Sequence, residues 1–164
     1  MTSHGRDHLF PGWFSARHLL AHALGAPARD GNHLSHRVSD ASGSFEVFEY
    51  LHDMDRRLAW ADLVVCRSGA STVAEVCACQ KAAIFIPLPT AADDHQRKNA
   101  EVLAQAGAAV MLLQSNLDAE KFRAVLISFR DDRGRIAILE ENVRRFQFPR
   151  AAEKIVERIL DRSV

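Results

Sequence analysis

The run Asp62-Leu-Val-Val-Cys-Arg-Ser-Gly-Ala-Ser-Thr-Val-Ala-Glu75 constrains the fold more than any other stretch of the chain. Leu63 to Cys66 are four consecutive apolar residues, the pattern of a short parallel strand covered on both faces. Ser68, Gly69, Ala70 and Ser71 follow with little side-chain bulk, so a ligand can approach the backbone closely there. A helix then begins. Ser71 or Thr72 can cap it, and Thr72 with Glu75 has the spacing of a capping box. A strand that passes through a small-residue turn into a helix presents unpaired N–H groups and a partial positive charge beyond the strand end, where phosphates are held. The same turn also arises wherever a helix packs tightly on a sheet, so this segment alone leaves both readings open.

The next segment narrows the choice. Ala82-Ala-Ile-Phe-Ile-Pro-Leu88 reads as another buried strand, stopped by Pro87. It is followed by the polar stretch Pro89-Thr-Ala-Ala-Asp-Asp-His-Gln-Arg-Lys-Asn99, in which Asp93 or Asp94 opens a helix that turns Ala100, Leu103 and Ala104 inward and ends at Gly107. Neighbouring parallel strands place both loops at the same sheet edge. Two helix N-termini converging on one crevice favour a ligand with both a diphosphate and hydroxyl groups. Asp93, Asp94, Arg97 and Lys98 read as a solvated helix start.

Along the rest of the chain, Phe45 to Tyr50 is a strand candidate and Asp53 can cap a short helix through Trp60. Ala108 to Leu113 gives a further strand, and helical stretches at about 118–129, 133–146 and 150–162 close the chain. Strands alternating with helices indicate parallel pairing through right-handed crossovers, a doubly wound α/β domain. Residues 1–44 are less regular. Trp13, Ala16, Leu20 and Leu24 share one helical face between Pro11 and Gly25, and 25–44 reads as a linker. The expected division is thus a partly irregular segment 1–44 and an α/β unit 45–164.

With 164 residues, 48% hydrophobic and 26% charged, the chain can build one domain with a real core. A formal net charge of zero excludes a global field that draws it to nucleic acid or to an anionic membrane. Cys66, Cys77 and Cys79 lie in apolar segments, which suits reduced thiols better than a disulfide framework. Cys77 and Cys79, two apart on a helix, point to different faces, so no metal site is expected there. No apolar run approaches the roughly 20 residues that span a bilayer, and no secretory block opens the chain. The expected location is the cytoplasm.

Four motifs in order, Asp62 to Val76, Ile84 to Leu88, Asp93 to Ala100 and Ala106-Gly-Ala-Ala109, resemble the C-terminal, donor-binding domain of the MurG family. That family moves N-acetylglucosamine from its UDP conjugate to lipid I, the undecaprenyl-diphospho-muramoylpentapeptide of peptidoglycan synthesis, on a two-domain GT-B fold. The resemblance covers about 45–162 and implies the Rossmann-like half of a GT-B glycosyltransferase. By position, Phe48-Glu-Tyr-Leu-His-Asp-Met54 resembles the segment at the uracil, which puts Leu51 at the base. Ala70, Ser71 and Thr72 would face the diphosphate, Glu75 would accept from the ribose hydroxyls, and His95 and Gln96 would contact the sugar. Arg67 has either a ligand contact or a structural role in the turn. Neither a metal ion nor another cofactor is implied.

His8-Leu-Phe-Pro-Gly12 and Ala16-Arg-His-Leu-Leu20 are similar to the start of the family's acceptor domain. This makes His8 the catalytic candidate, although Arg6 and Asp7 stand where the family has glycines, and an exposed tail histidine is the competing reading. Most of the acceptor domain has no counterpart, nor does the glycine-rich loop that opens the donor domain. The resemblance therefore implies a transferase represented by its nucleotide-sugar half and inactive as an isolated chain, with UDP-N-acetylglucosamine as ligand and a lipid-linked acceptor on the cytoplasmic face of the inner membrane. A non-catalytic nucleotide-sugar-binding module acting with a separate acceptor-domain protein, or a decayed gene product, are the alternatives.

Overall fold

A computed structural model of the chain describes residues 19–21, 34–40, 43–48, 51 and 53–161. The elements are β1 (Leu19–Ala21), β2 (Leu34–Asp40), β3 (Gly43–Phe48), α1 (Met54–Trp60), β4 (Leu63–Cys66), α2 (Ala70–Ala78), β5 (Ala83–Phe85), α3 (His95–Gln105), β6 (Val110–Met111), α4 (Ala119–Asp131), α5 (Gly134–Val143) and α6 (Ala151–Asp161). Four strands form one sheet in the order β1-β4-β5-β6, every pair parallel, with Leu20 beside Val64, Val65 beside Ile84, and Ile84 beside Val110.

Successive residues of a strand face opposite sides, and here the two sides carry two separate cores. Val64, Cys66, Ala83 and Phe85 pack with Leu58 of α1, Val76 and Cys77 of α2, Ala100 and Leu103 of α3, and Val143. Leu63, Val65 and Ile84 pack on the opposite side with Leu126 and Phe129 of α4 and Leu139 of α5. Helices thus cover both faces, which is why the strands read as unbroken apolar runs and why the fold is doubly wound. Among the described residues Phe85 and Phe129 are the largest side chains wholly out of water, and truncating either to Ala would cost about 3–5 kcal/mol.

α3 stops where Gly107 predicts it. Gly107 adopts a left-handed φ of 63°, the Ala108 N–H reaches the Leu103 carbonyl at 2.8 Å, and the Gly107 N–H reaches Ala104 at 3.0 Å. This pair of bonds satisfies the last carbonyls of the helix.

The structure departs from the sequence reading at three places. Leu19–Ala21, expected within a helix, is a strand at the edge of the parallel sheet; its contiguous apolar residues serve a buried parallel strand as well as a helix face. The rest of that expected helix and Tyr50 lie outside the described residues. Leu34–Asp40, expected in a linker, pairs with β3 in an antiparallel two-stranded ribbon, so the strand expected at Phe45 does not join the parallel sheet. Finally, α2 begins earlier than expected: Gly69 is its N-cap and no side chain caps it, which places Ser71 and Thr72 inside the first turn and leaves the expected capping box unformed.

Candidate functional site

The strand order puts the C-terminal ends of β4 and β5 side by side, so the two loops suspected in the sequence do share one sheet edge. At the first, Gly69 sits in extended conformation, φ −60° and ψ 152°. The first helical bond runs from the Val73 N–H to the Gly69 carbonyl at 2.9 Å, so the N–H groups of Ala70, Ser71 and Thr72 precede the ladder. Ala70 and Ser71 are exposed and Thr72 is half-buried. A Cβ built on Gly69 meets nothing within 4 Å, so open space lies before this turn.

At the second loop, Asp93 and Asp94 both take left-handed backbone, φ 50° and 56°. Aspartate tolerates that region, at a cost on the order of 1 kcal/mol each. Asp94 is the N-cap of α3 but gives no side-chain cap; its carboxylate holds Arg97, which also pairs with Glu101. These partners, led by Asp94, raise the Arg97 guanidinium above its ordinary value. Arg97 is committed to its own helix start, in keeping with the solvated-start reading. His95 is exposed and Gln96 half-buried.

The loops are tied to each other. The wholly buried Ser68 donates its hydroxyl to the Gln96 carbonyl at 2.8 Å, and the Asn99 amide donates to the Ser68 carbonyl at 3.1 Å. The Gln96 side-chain oxygen accepts from the Leu88 N–H at 3.0 Å. Arg67 donates to the carbonyls of Ile86, at 2.9 Å, and Pro87, at 3.1 Å. Of the two roles open to Arg67, the turn role is therefore the one seen. Among the described residues no buried side-chain nitrogen or oxygen lacks a partner, as a polar group in a water-excluded interior requires. Ser68 and Asn99 were not singled out from sequence. The available signal was a hydroxyl directly after a buried strand and an amide one turn inside the facing helix.

Glu75 lies one turn into α2 and is exposed. With Thr72, Met54, Leu58, Val64, Cys66 and Val76 it lines a recess of about 20 Å³. That is room for about one water. Burial, and secondarily the Glu75 charge, push the Cys66 thiol up to about 12, so Cys66 stays protonated at neutral pH. Leu51 is half-buried ahead of α1 and outside the recess lining. His8 lies outside the described residues. Among the described residues no three His, Cys, Asp or Glu side chains gather to hold a metal ion, and no helix is long and apolar enough to cross a membrane. The site offers backbone N–H donors and a nearby carboxylate, the groups that hold a phosphorylated ligand carrying hydroxyls.

A sequence model of the glycosyltransferase family 28 C-terminal domain matches residues 16–155. The chain belongs to this family. Among relatives of the family 28 domain, the UDP-N-acetylglucosamine–N-acetylmuramyl-(pentapeptide) pyrophosphoryl-undecaprenol N-acetylglucosamine transferase of Citrifermentans bemidjiense is 43% identical over 118 residues, covering 72% of this chain and 33% of that protein. The Bdellovibrio bacteriovorus protein of the same name is 37% identical over 141 residues, 86% of this chain and 39% of its own. The crystal structure of Acinetobacter baumannii MurG superposes with a TM-score of 0.63 at 37% identity, over 68% of this chain and 32% of that one. The fold is thus the Rossmann-like half of a GT-B enzyme, as the resemblance implied. The chain spans between a third and two fifths of the length of these relatives.

Proposed function

We propose that this chain binds UDP-N-acetylglucosamine across its two braced helix starts, as the donor half of a MurG-type transferase, and does not transfer the sugar alone. The observation that carries the reading is the tie between Ser68 and Gln96, which joins an anion-ready helix start to a polar one at adjacent strand ends. The N–H groups of Ala70, Ser71 and Thr72 receive the diphosphate, Glu75 the ribose hydroxyls, His95 and Gln96 the sugar, and Leu51 the uracil. Residues 45–164 carry this site, and β1 from the preceding segment completes its sheet.

In transfer, the same N–H groups would stabilise the charge on departing UDP. Holding the donor carbon against an acceptor hydroxyl supplies about 7–11 kcal/mol of barrier reduction. In this reading that part belongs to the sequence the longer relatives possess and this chain does not match. A lipid-linked acceptor, or a separate acceptor-domain protein that presents it, is then the partner, and the work is done in the cytoplasm at the inner face of the membrane. Calorimetric titration with UDP-N-acetylglucosamine, beside an assay of labelled sugar transfer to a lipid I analogue with intact MurG as control, tests both parts. Binding without transfer is expected. Absence of binding at millimolar ligand overturns the first part, and turnover within an order of magnitude of the control overturns the second.

A further inference from the structure

Gln96 has two oxygens, and the protein uses both. Its backbone carbonyl accepts the Ser68 hydroxyl at 2.8 Å, and its side-chain oxygen accepts the Leu88 N–H at 3.0 Å. A glutamine amide offers one oxygen and two N–H donors, so what the half-buried Gln96 side chain has left is the pair of N–H bonds on Nε2. Among the described residues no group takes these up.

Both ends of the Leu88 to Gln96 bond are anchored. Leu88 stands between Pro87 and Pro89, whose rings set their own φ and restrict the residue between them. Arg67 holds the carbonyls of Ile86 and Pro87 at 2.9 and 3.1 Å, which fixes the strand end from which the Leu88 N–H projects. On the other side, the buried Ser68 holds the Gln96 backbone. Turning the amide over would set Nε2 against the Leu88 N–H, donor facing donor, and leave that N–H without its acceptor. The sense of the amide is therefore set by the fold before any ligand arrives.

We infer that Leu88, acting through its backbone N–H, orients Gln96 so that residue 96 meets the ligand only as a hydrogen-bond donor. The inference rests on the proposed placement of the sugar at the start of α3 and assigns the polarity of that contact. The group selected on the sugar is an acceptor oxygen, on a ring hydroxyl or on the acetamido carbonyl. No side chain caps α3, so its first N–H groups face the same way chemically, and Gln96 extends that row of donors outward. Leu88 is the positioning residue and Gln96 the one that determines specificity, since a donor set in place discriminates against a ligand that offers it no acceptor.

Most substitutions at position 96 also break the bond to Leu88. Gln96→Glu is the exception, because a carboxylate oxygen still accepts the Leu88 N–H while both donors are gone. The test is calorimetric titration of the full chain and of Gln96→Glu with UDP, UDP-glucose and UDP-N-acetylglucosamine. The variant should melt within about 2 °C of the parent, and its loss of affinity for UDP-N-acetylglucosamine should exceed its loss for UDP by about tenfold or more. An equal penalty on UDP-glucose assigns the acceptor to a ring hydroxyl, and a penalty confined to the N-acetyl sugar assigns it to the acetamido carbonyl. In the parent, the amide N–H pair that disappears from the nitrogen–proton correlation spectrum in Gln96→Glu should shift with UDP-N-acetylglucosamine and stay in place with UDP. A parent that binds none of the three ligands removes the proposed function and this inference with it. A parent that prefers UDP-N-acetylglucosamine to UDP, beside a variant that keeps or strengthens that preference, leaves the proposed function standing and overturns the inference, because an amide used through its oxygen is matched or bettered by a carboxylate. An unmoved N–H pair overturns it as well.

Discussion

Ser68 and Gln96, 28 residues apart, are joined by a 2.8 Å bond from a wholly buried hydroxyl to a helix-start carbonyl. The bond holds the end of β4 against the start of α3, so the two ligand-facing turns keep one spacing. Ser68→Ala leaves the Gln96 carbonyl without this donor, which costs about 1–3 kcal/mol. The expected result is a lower urea midpoint together with roughly tenfold weaker UDP-N-acetylglucosamine binding, and Ser68→Cys, a weaker donor, should fall between. Unchanged sugar-nucleotide affinity in Ser68→Ala would show that the spacing does not matter to the ligand.

Gly69 has ordinary negative φ, and nothing lies within 4 Å of where its Cβ would be. Gly69→Ala should therefore fold almost as well as the parent. A methyl group in the space before the turn should nevertheless weaken UDP binding at least tenfold. Retained affinity would place the diphosphate elsewhere.

Glu75 is exposed in the free chain, so its carboxylate is desolvated only when ligand covers it. Hydrogen bonds to a charged group contribute about 1.5–3 kcal/mol. Glu75→Ala is expected to lose about tenfold or more in UDP affinity with no change in thermal midpoint, read by titration and melting of the same samples. Equal affinities would remove Glu75 from the site.

The Gln96 side chain is engaged with the Leu88 N–H, so replacing it disturbs the turn as well as any ligand contact. His95→Ala leaves the bond between Gln96 and Leu88 in place and probes sugar recognition from the neighbouring position. It should reduce affinity for UDP-N-acetylglucosamine while that for UDP stays constant. Parallel losses would mean that the helix start itself had loosened.

The Cys66 thiol, pushed up from 9.0 to about 12 by burial first and the Glu75 charge second, holds its proton longer in the folded than in the unfolded state. Its stabilisation is complete below pH 9.0 and is lost as pH rises towards 12. Urea midpoints should fall above pH 9.0, and Cys66→Ala should flatten that decline. An alkaline slope identical in the variant would assign the loss to other groups.

The stretch around β4 was legible because local pattern and global fold agree there: four apolar residues fill both faces of a parallel strand, and small residues start the next helix. Gly107 was legible for a local reason too, since a left-handed residue ends α3. What stayed hidden was non-local. Leu19–Ala21 is a strand because Leu63–Val65 lies beside it, and no window of neighbouring sequence contains that pairing. Gly69 and Ser71 are both acceptable caps, so composition could not decide where α2 begins. The tie of Asn99 to Ser68 spans 31 residues, and a hydroxyl and an amide announce no partner until the sheet brings their helices together.

None of the eleven residues of α6 is buried, and a helix shorter than about 12–15 residues is marginal in water on its own. Its helix–coil balance is therefore set by whatever shields Ile155, Val156, Ile159 and Leu160. On warming, this segment should melt before the α/β body loses its shape, as an early loss of far-ultraviolet ellipticity.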